Sequence, residues 1–191
     1  MQKIFVKIVG TSPLLMNRYH VENQIQGKGT KRILVSREPS DEAENAAYWT
    51  SSGKRELMIP TGVVYASLLN ASSFHKINKR SAKSVLAGSM RVQALDGSEE
   101  IRLGTDKYAI DTRGVVIQRA RVAKSRARLD KWEAEFYIVF NENLIPSAEH
   151  IEPVVIEAGQ RIGICDFRPS KGGWFGTFDV KDFKVIQDKK K

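Results

Sequence analysis

The chain has 191 residues, with 31 lysines and arginines against 22 aspartates and glutamates and a formal charge of +9 at pH 7. That length suits one domain with a core of its own, and the basic excess points to a polyanionic partner. A lone cysteine, Cys165, excludes a disulfide framework and a cysteine-held metal site, and no apolar run approaches the roughly 18 residues of a membrane span, so a cytoplasmic protein with no membrane partner is expected.

Lys3 to Gly10 alternates as a strand does, with Ile4, Val6 and Ile8 on one face and Phe5, Lys7 and Val9 on the other, and carries no signal-peptide pattern. After Thr11-Ser12-Pro13 the pattern breaks. Residues 18–56 read as an insertion containing a basic flexible loop (Lys28, Lys31, Arg32) and a short helix from Asp41 to Trp49. Ile59-Pro60-Thr61-Gly62 then leads into a helix predicted over 62–74, with Thr61 as N-cap and Val64, Leu68 and Ala71 buried. Residues 75–131 read as a second insertion. It opens with the basic stretch Lys76, Lys79, Arg80 and Lys83, and short strands are expected near 88–95 and 101–103 around an Asp96-Gly97 turn.

Between Val115 and Phe140 the spacing predicts a strand over 115–122, a basic connection over 123–129 and a strand over 132–140. Arg113, Arg119, Arg121, Lys124, Arg126 and Arg128 occur with no acid between them until Asp130. In extended chain, Arg119 with Arg121 and Arg126 with Arg128 each project from one face. The 132–140 strand turns Ala134, Phe136, Ile138 and Phe140 inward and leaves Glu133, Glu135 and Tyr137 on an open face, where the carboxylates would oppose phosphates. Binding through loops is therefore expected. A second helix over 151–158 with Gly159 as C-cap, and a last strand over 173–186, complete the chain.

The loop between that helix and that strand carries Gly159, Gly163, Gly172, Gly173 and Gly176 with Arg161, Arg168, Lys171, Trp174 and Phe175. Glycines allow close backbone approach and can turn N–H groups toward an anion, the three cations supply charge, and the two aromatics offer flat faces to bases. Catalytic and cofactor signals are absent. His20, His75 and His150 lie in separate segments without triad or metal spacing, there is no Walker loop, and an acidic first helical turn accounts for Asp41, Glu42 and Glu44. Cys165 reads as a small buried apolar residue. No metal, cofactor or enzymatic activity is expected.

The element order predicts an α+β protein with a ferredoxin-like, RRM-like βαββαβ core, an antiparallel sheet, inserted loops and a basic β-hairpin. With the Ile59-Pro60-Thr61-Gly62 lead-in and the glycine-rich loop before the last strand, the chain resembles the RAMP superfamily of CRISPR-associated proteins, most of all the backbone subunits that polymerise along guide RNA. The resemblance implies a single RAMP-like domain over 1–191, with the hairpin acting as a thumb that crosses the strand. It implies a non-catalytic subunit that binds single-stranded RNA or DNA in the cytoplasm and partners copies of itself and other CRISPR effector subunits. Two alternatives stand beside it: a phage-borne RAMP-like assembly or anti-CRISPR protein acting by protein docking, and an RNA endonuclease of the same superfamily using Asp41 or His75. The glycine-rich loop lacks the nearby histidines that guide processing would use.

Overall fold

The computed structural model describes residues 1–18, 38–117 and 119–186, so Lys28, Lys31 and Arg32 lie outside the described residues. In chain order the elements are β1 (Gln2–Gly10), β2 (Leu14–Leu15), α1 (Pro39–Ala46), β3 (Met58–Pro60), α2 (Thr61–Ala71), β4 (Lys76–Ile77), β5 (Arg80–Ser81), α3 (Ala82–Ser89) and β6 (Met90–Gln93). They continue as β7 (Glu100–Arg102), β8 (Ala109–Ile117), β9 (Ala120–Leu129), β10 (Glu133–Phe140), α4 (Glu152–Glu157) and β11 (Phe178–Ile186).

The core sheet has four strands in the order β11-β1-β10-β6, and every neighbouring pair is antiparallel. With α2 connecting β1 to β6 and α4 connecting β10 to β11, this is the ferredoxin-like βαββαβ arrangement. Period-two alternation positions the core. Ile4, Val6 and Ile8 on β1 and Ala134, Phe136, Ile138 and Phe140 on β10 are buried together with Val64, Leu68 and Ala71 of α2 and Val154 and Val155 of α4. Each large apolar side chain so removed from water contributes about 1.5–3 kcal/mol.

Both ends of α2 and the end of α4 differ from the expected boundaries. Thr61 is the first residue of α2, not its cap: its N–H donates to the Glu99 carbonyl at 2.9 Å, and Pro60 takes the N-cap position without a side-chain hydrogen bond. The α-helix stops at Ala71, and a 3-10 turn over Ser72–Phe74 follows. At the other end of the fold, α4 runs on into a π-helical turn, Ala158–Ile162, that closes at Gly163 with φ of 71°. Gly159 is therefore inside the turn, and its missing Cβ makes room for the Phe178 carbonyl.

The basic stretch after α2 is not a plain loop. β4 and β5 pair around Asn78 and Lys79, whose φ angles of 49° and 66° suit a tight hairpin turn, and α3 follows directly. Lys76, Lys79, Arg80 and Lys83 remain exposed.

The larger correction concerns the basic region. The strand expected over 115–122 folds back in its middle, because Ile117 pairs with Ala120, and the supposed connection 123–129 is the returning strand β9. β2 pairs with the far edge of β9, giving a second sheet in the order β2-β9-β8. In the reversal between β8 and β9, Arg119 has φ of 68°.

Candidate nucleic-acid interface

The register of β8 and β9 sets Asp111 opposite Arg126 and Arg113 opposite Lys124, so these four share one face with Arg128, Val115 and Val122. At the base of the hairpin this face is clamped by carboxylates. Asp111, 5% exposed, accepts from Arg113 Nε at 2.5 Å and from Arg128 Nη1 at 3.2 Å, while Arg128 also meets Asp130 at 2.9 Å. Arg113 first, then Arg128, hold the Asp111 carboxyl below its ordinary 3.8 against the opposing effect of burial. Arg126 lies 2.9 Å from Asp166 of the glycine-rich loop, an ion pair bent too far for a hydrogen bond.

The same face receives the loop's aromatics. The Arg113 guanidinium stands 4.8 Å from the Phe175 ring centroid and 5.9 Å from that of Trp174, and the two rings stack at 4.2 Å. The base of the arginine-rich hairpin and the glycine-rich loop, both singled out in the sequence, thus meet on this face, whereas Arg121, opposite Val116, projects from the other face of the hairpin. Phe175, however, is fully buried and packs on Phe167 at 6.0 Å, so it supports Trp174 and presents no face to a base. Trp174 is 53% exposed.

The loop's glycines serve packing, not anion binding. The N–H groups of Gly163, Gly172, Gly173 and Gly176 donate to the carbonyls of Ala158, Pro169, Arg168 and Pro13 at 2.8–3.1 Å. A Cβ on Gly173 would run into the Phe167 carbonyl, and one on Gly176 into that of Ile164. Arg168 is likewise internal to the loop, donating to the Cys165 carbonyl at 2.6 Å and to Ser170 Oγ at 3.0 Å. Arg161 pairs with Glu157 at 2.7 Å and lies 4.1 Å over the exposed ring of Phe74, so its charge is largely engaged. Cys165 is buried as expected, and desolvation pushes its thiol up to about 12.

What remains free lies outward from the clamps. Arg119 and Arg121 are exposed, Lys124 is half-buried and Lys171 is exposed, and none makes an ion pair among the described residues. Lys124 is directly opposite Arg113, whose own charge is already engaged by Asp111. Arg126 and Arg128, expected to meet phosphates, are instead the buried and half-buried members of the clamp. The sequence reading missed Asp111 and Asp166 as their partners. The local signal was Asp111 two residues before Arg113, on the same strand face; Asp166 had none.

The acids of α1 are structural where they are paired. Glu42 accepts the Ser125 N–H at 2.8 Å, and Glu44 accepts the Tyr108 hydroxyl at 2.8 Å and pairs with Arg55. Asp41 is exposed. His75 Nε2 is buried and has no hydrogen-bond partner among the described residues. Among the described residues no group of histidine, cysteine, aspartate or glutamate is placed to hold a metal ion, and no helix is long and apolar enough to cross a membrane.

Fold and surface define a ferredoxin-like α+β protein whose outer hairpin and adjoining loop carry uncompensated positive charge and an exposed tryptophan. No protein-family model and no curated protein matches the sequence. Among solved structures the chain is similar to one in the "Cryo-EM structure of the Type III-B Cmr-beta bound to cognate target RNA", with 11% identity and a TM-score of 0.52 over 97% of this chain and 61% of that one. The likeness is one of fold, and this chain spans about three fifths of the other's length.

Proposed function

We propose that the chain is a non-catalytic subunit that binds single-stranded nucleic acid, RNA in the first place, and assembles side by side along the strand in a CRISPR-type ribonucleoprotein. The observation that carries this reading is the split of charge along the hairpin. Its base is neutralised by Asp111, Asp130 and Asp166, whereas Arg119, Arg121 and Lys124 toward its tip, with Lys171 in the loop, have no carboxylate partner among the described residues. Uncompensated cations on a surface are what a polyphosphate replaces counterions on. Trp174, seated on Phe175 beside Arg113, adds a flat face on which a base stacks without sequence preference. The fold likeness to a chain from a complex described as bound to target RNA supports the choice of RNA and of a multisubunit setting.

Fluorescence anisotropy with a labelled single-stranded RNA tests this, read at several salt concentrations. Neutralising four phosphates gives a slope of log affinity against log salt near −2.8, at about −0.7 per phosphate. Arg119→Glu/Arg121→Glu is expected to roughly halve the slope and weaken binding while leaving the clamp intact. A slope near zero in the wild type overturns the reading and favours docking on a protein instead.

A further inference from the structure

The sheet face turned away from α2 and α4 carries an aromatic patch that the hairpin and loop do not use. Register places two cross-strand rows on it: Gln93, Tyr137, Phe5 and Lys184 in one, and Arg91, Val139, Lys3 and Ile186 in the next. Phe5 and Tyr137, on the two central strands, are half-buried and meet edge to face at 6.1 Å. Lys3 Nζ stands 4.0 Å above the Tyr137 ring, and Arg91 is exposed with no ion pair among the described residues.

From sequence, Glu133 and Glu135 argued against nucleic acid on this face. The structure changes that balance, because Lys7 reaches both carboxylates at 3.3 and 3.0 Å and compensates them in part. The face thus divides into a Lys7-bridged acidic end and an aromatic end edged by Lys3, Arg91 and Lys184, of which only Lys184 is tied to a carboxylate among the described residues, Asp182, at 2.9 Å.

We propose that this aromatic end is a second contact for single-stranded nucleic acid, in which bases stack on Tyr137 and Phe5 while Lys3 and Arg91 meet the flanking phosphates. It rests on the reading above that the chain binds RNA. The complementarity is specific in kind: flat apolar rings take bases, and free cations within one row of them take phosphate. The ammonium over Tyr137 is the group that a stacking base displaces toward its own phosphate.

The test uses the full chain and an RNA bearing 5-iodouridine, with cross-linked peptides mapped by mass spectrometry and affinities measured for Tyr137→Ala, Tyr137→Phe and Lys3→Glu/Arg91→Glu. Cross-links at Phe5 or Tyr137 are expected, with about tenfold weaker binding for Tyr137→Ala, near-normal binding for Tyr137→Phe, and a salt slope smaller by about 1.4 for the double charge reversal. Cross-links confined to the hairpin and loop, with the double reversal binding as wild type does, overturn this inference and leave the hairpin reading standing. No binding by the wild type at low salt overturns both. Because cross-linking is done on the unaltered chain, a variant that misfolds does not shield the inference.

Discussion

Arg126 on β9 and Asp166 in the glycine-rich loop approach to 2.9 Å, with side chains 9% and 29% exposed. The pair fastens the loop to the base of the hairpin. Around it, Asp166 N–H donates to the Leu15 carbonyl and Gly176 N–H to that of Pro13, so β2 is tied into the same junction.

Removing one partner strands the other. Arg126→Ala leaves the Asp166 carboxylate without its cation, and since Asp166 keeps some contact with water the expected loss is about 2 kcal/mol, below the ~3–5 kcal/mol of a fully buried pair. Urea unfolding monitored by circular dichroism reads this directly. An unchanged midpoint shows that the pair holds nothing together.

The glycines of the loop separate into two kinds. Gly173→Ala and Gly176→Ala drive a Cβ into a carbonyl and are expected to cost about 2–3 kcal/mol or more, whereas Gly172→Ala meets open space and costs only the ~1–2 kcal/mol of its left-handed conformation. Equal losses at Gly172 and Gly173 in chemical denaturation contradict the close-packed loop.

Asp111 makes stability depend on acid. Its native pKa is depressed by Arg113 and Arg128, so the pair's contribution is fully present above the ordinary value of 3.8 and is lost as pH falls through the lower native value. Asp111→Asn is expected to lose stability at neutral pH and to flatten the dependence in that acid window. Thermal melts of both proteins from neutral pH downward measure it, and parallel curves rule the linkage out.

Trp174 is the exposed one among three tryptophans, since Trp132 is 6% exposed and Trp49 is half-buried under Arg55. Stacking of a base on it is expected to quench the chain's fluorescence on RNA binding, and Trp174→Phe to remove most of that change while keeping the fold. Quenching that persists undiminished in Trp174→Phe puts the bases elsewhere.

Much of the fold was legible in the sequence because its signals are local. The alternation of Ile4, Val6 and Ile8 and of Ala134, Phe136, Ile138 and Phe140 says which face is buried without reference to any other segment. Element order then leaves few arrangements, and the sheet order β11-β1-β10-β6 is the one that a βαββαβ chain forms. The burial of Cys165, with no activating neighbour in sequence, was legible for the same reason.

The site was legible as a composition but not as a geometry. The arginines of 113–128 and the glycine-rich loop stood out, yet nothing near Arg126 in the chain shows that Asp166 neutralises it, and nothing near Phe175 shows that Phe167 and Arg113 enclose it. Glycine permits both an anion nest and a close backbone crossing, and the partners of its N–H groups decide between them. Residue types determined that the chain is basic, α+β and rich in candidate contacts; charge compensation and close approach act between segments distant in sequence, so only the tertiary structure decided that Arg126 and Arg128 are clamped while Arg119, Arg121 and Lys124 have no ion-pair partner among the described residues.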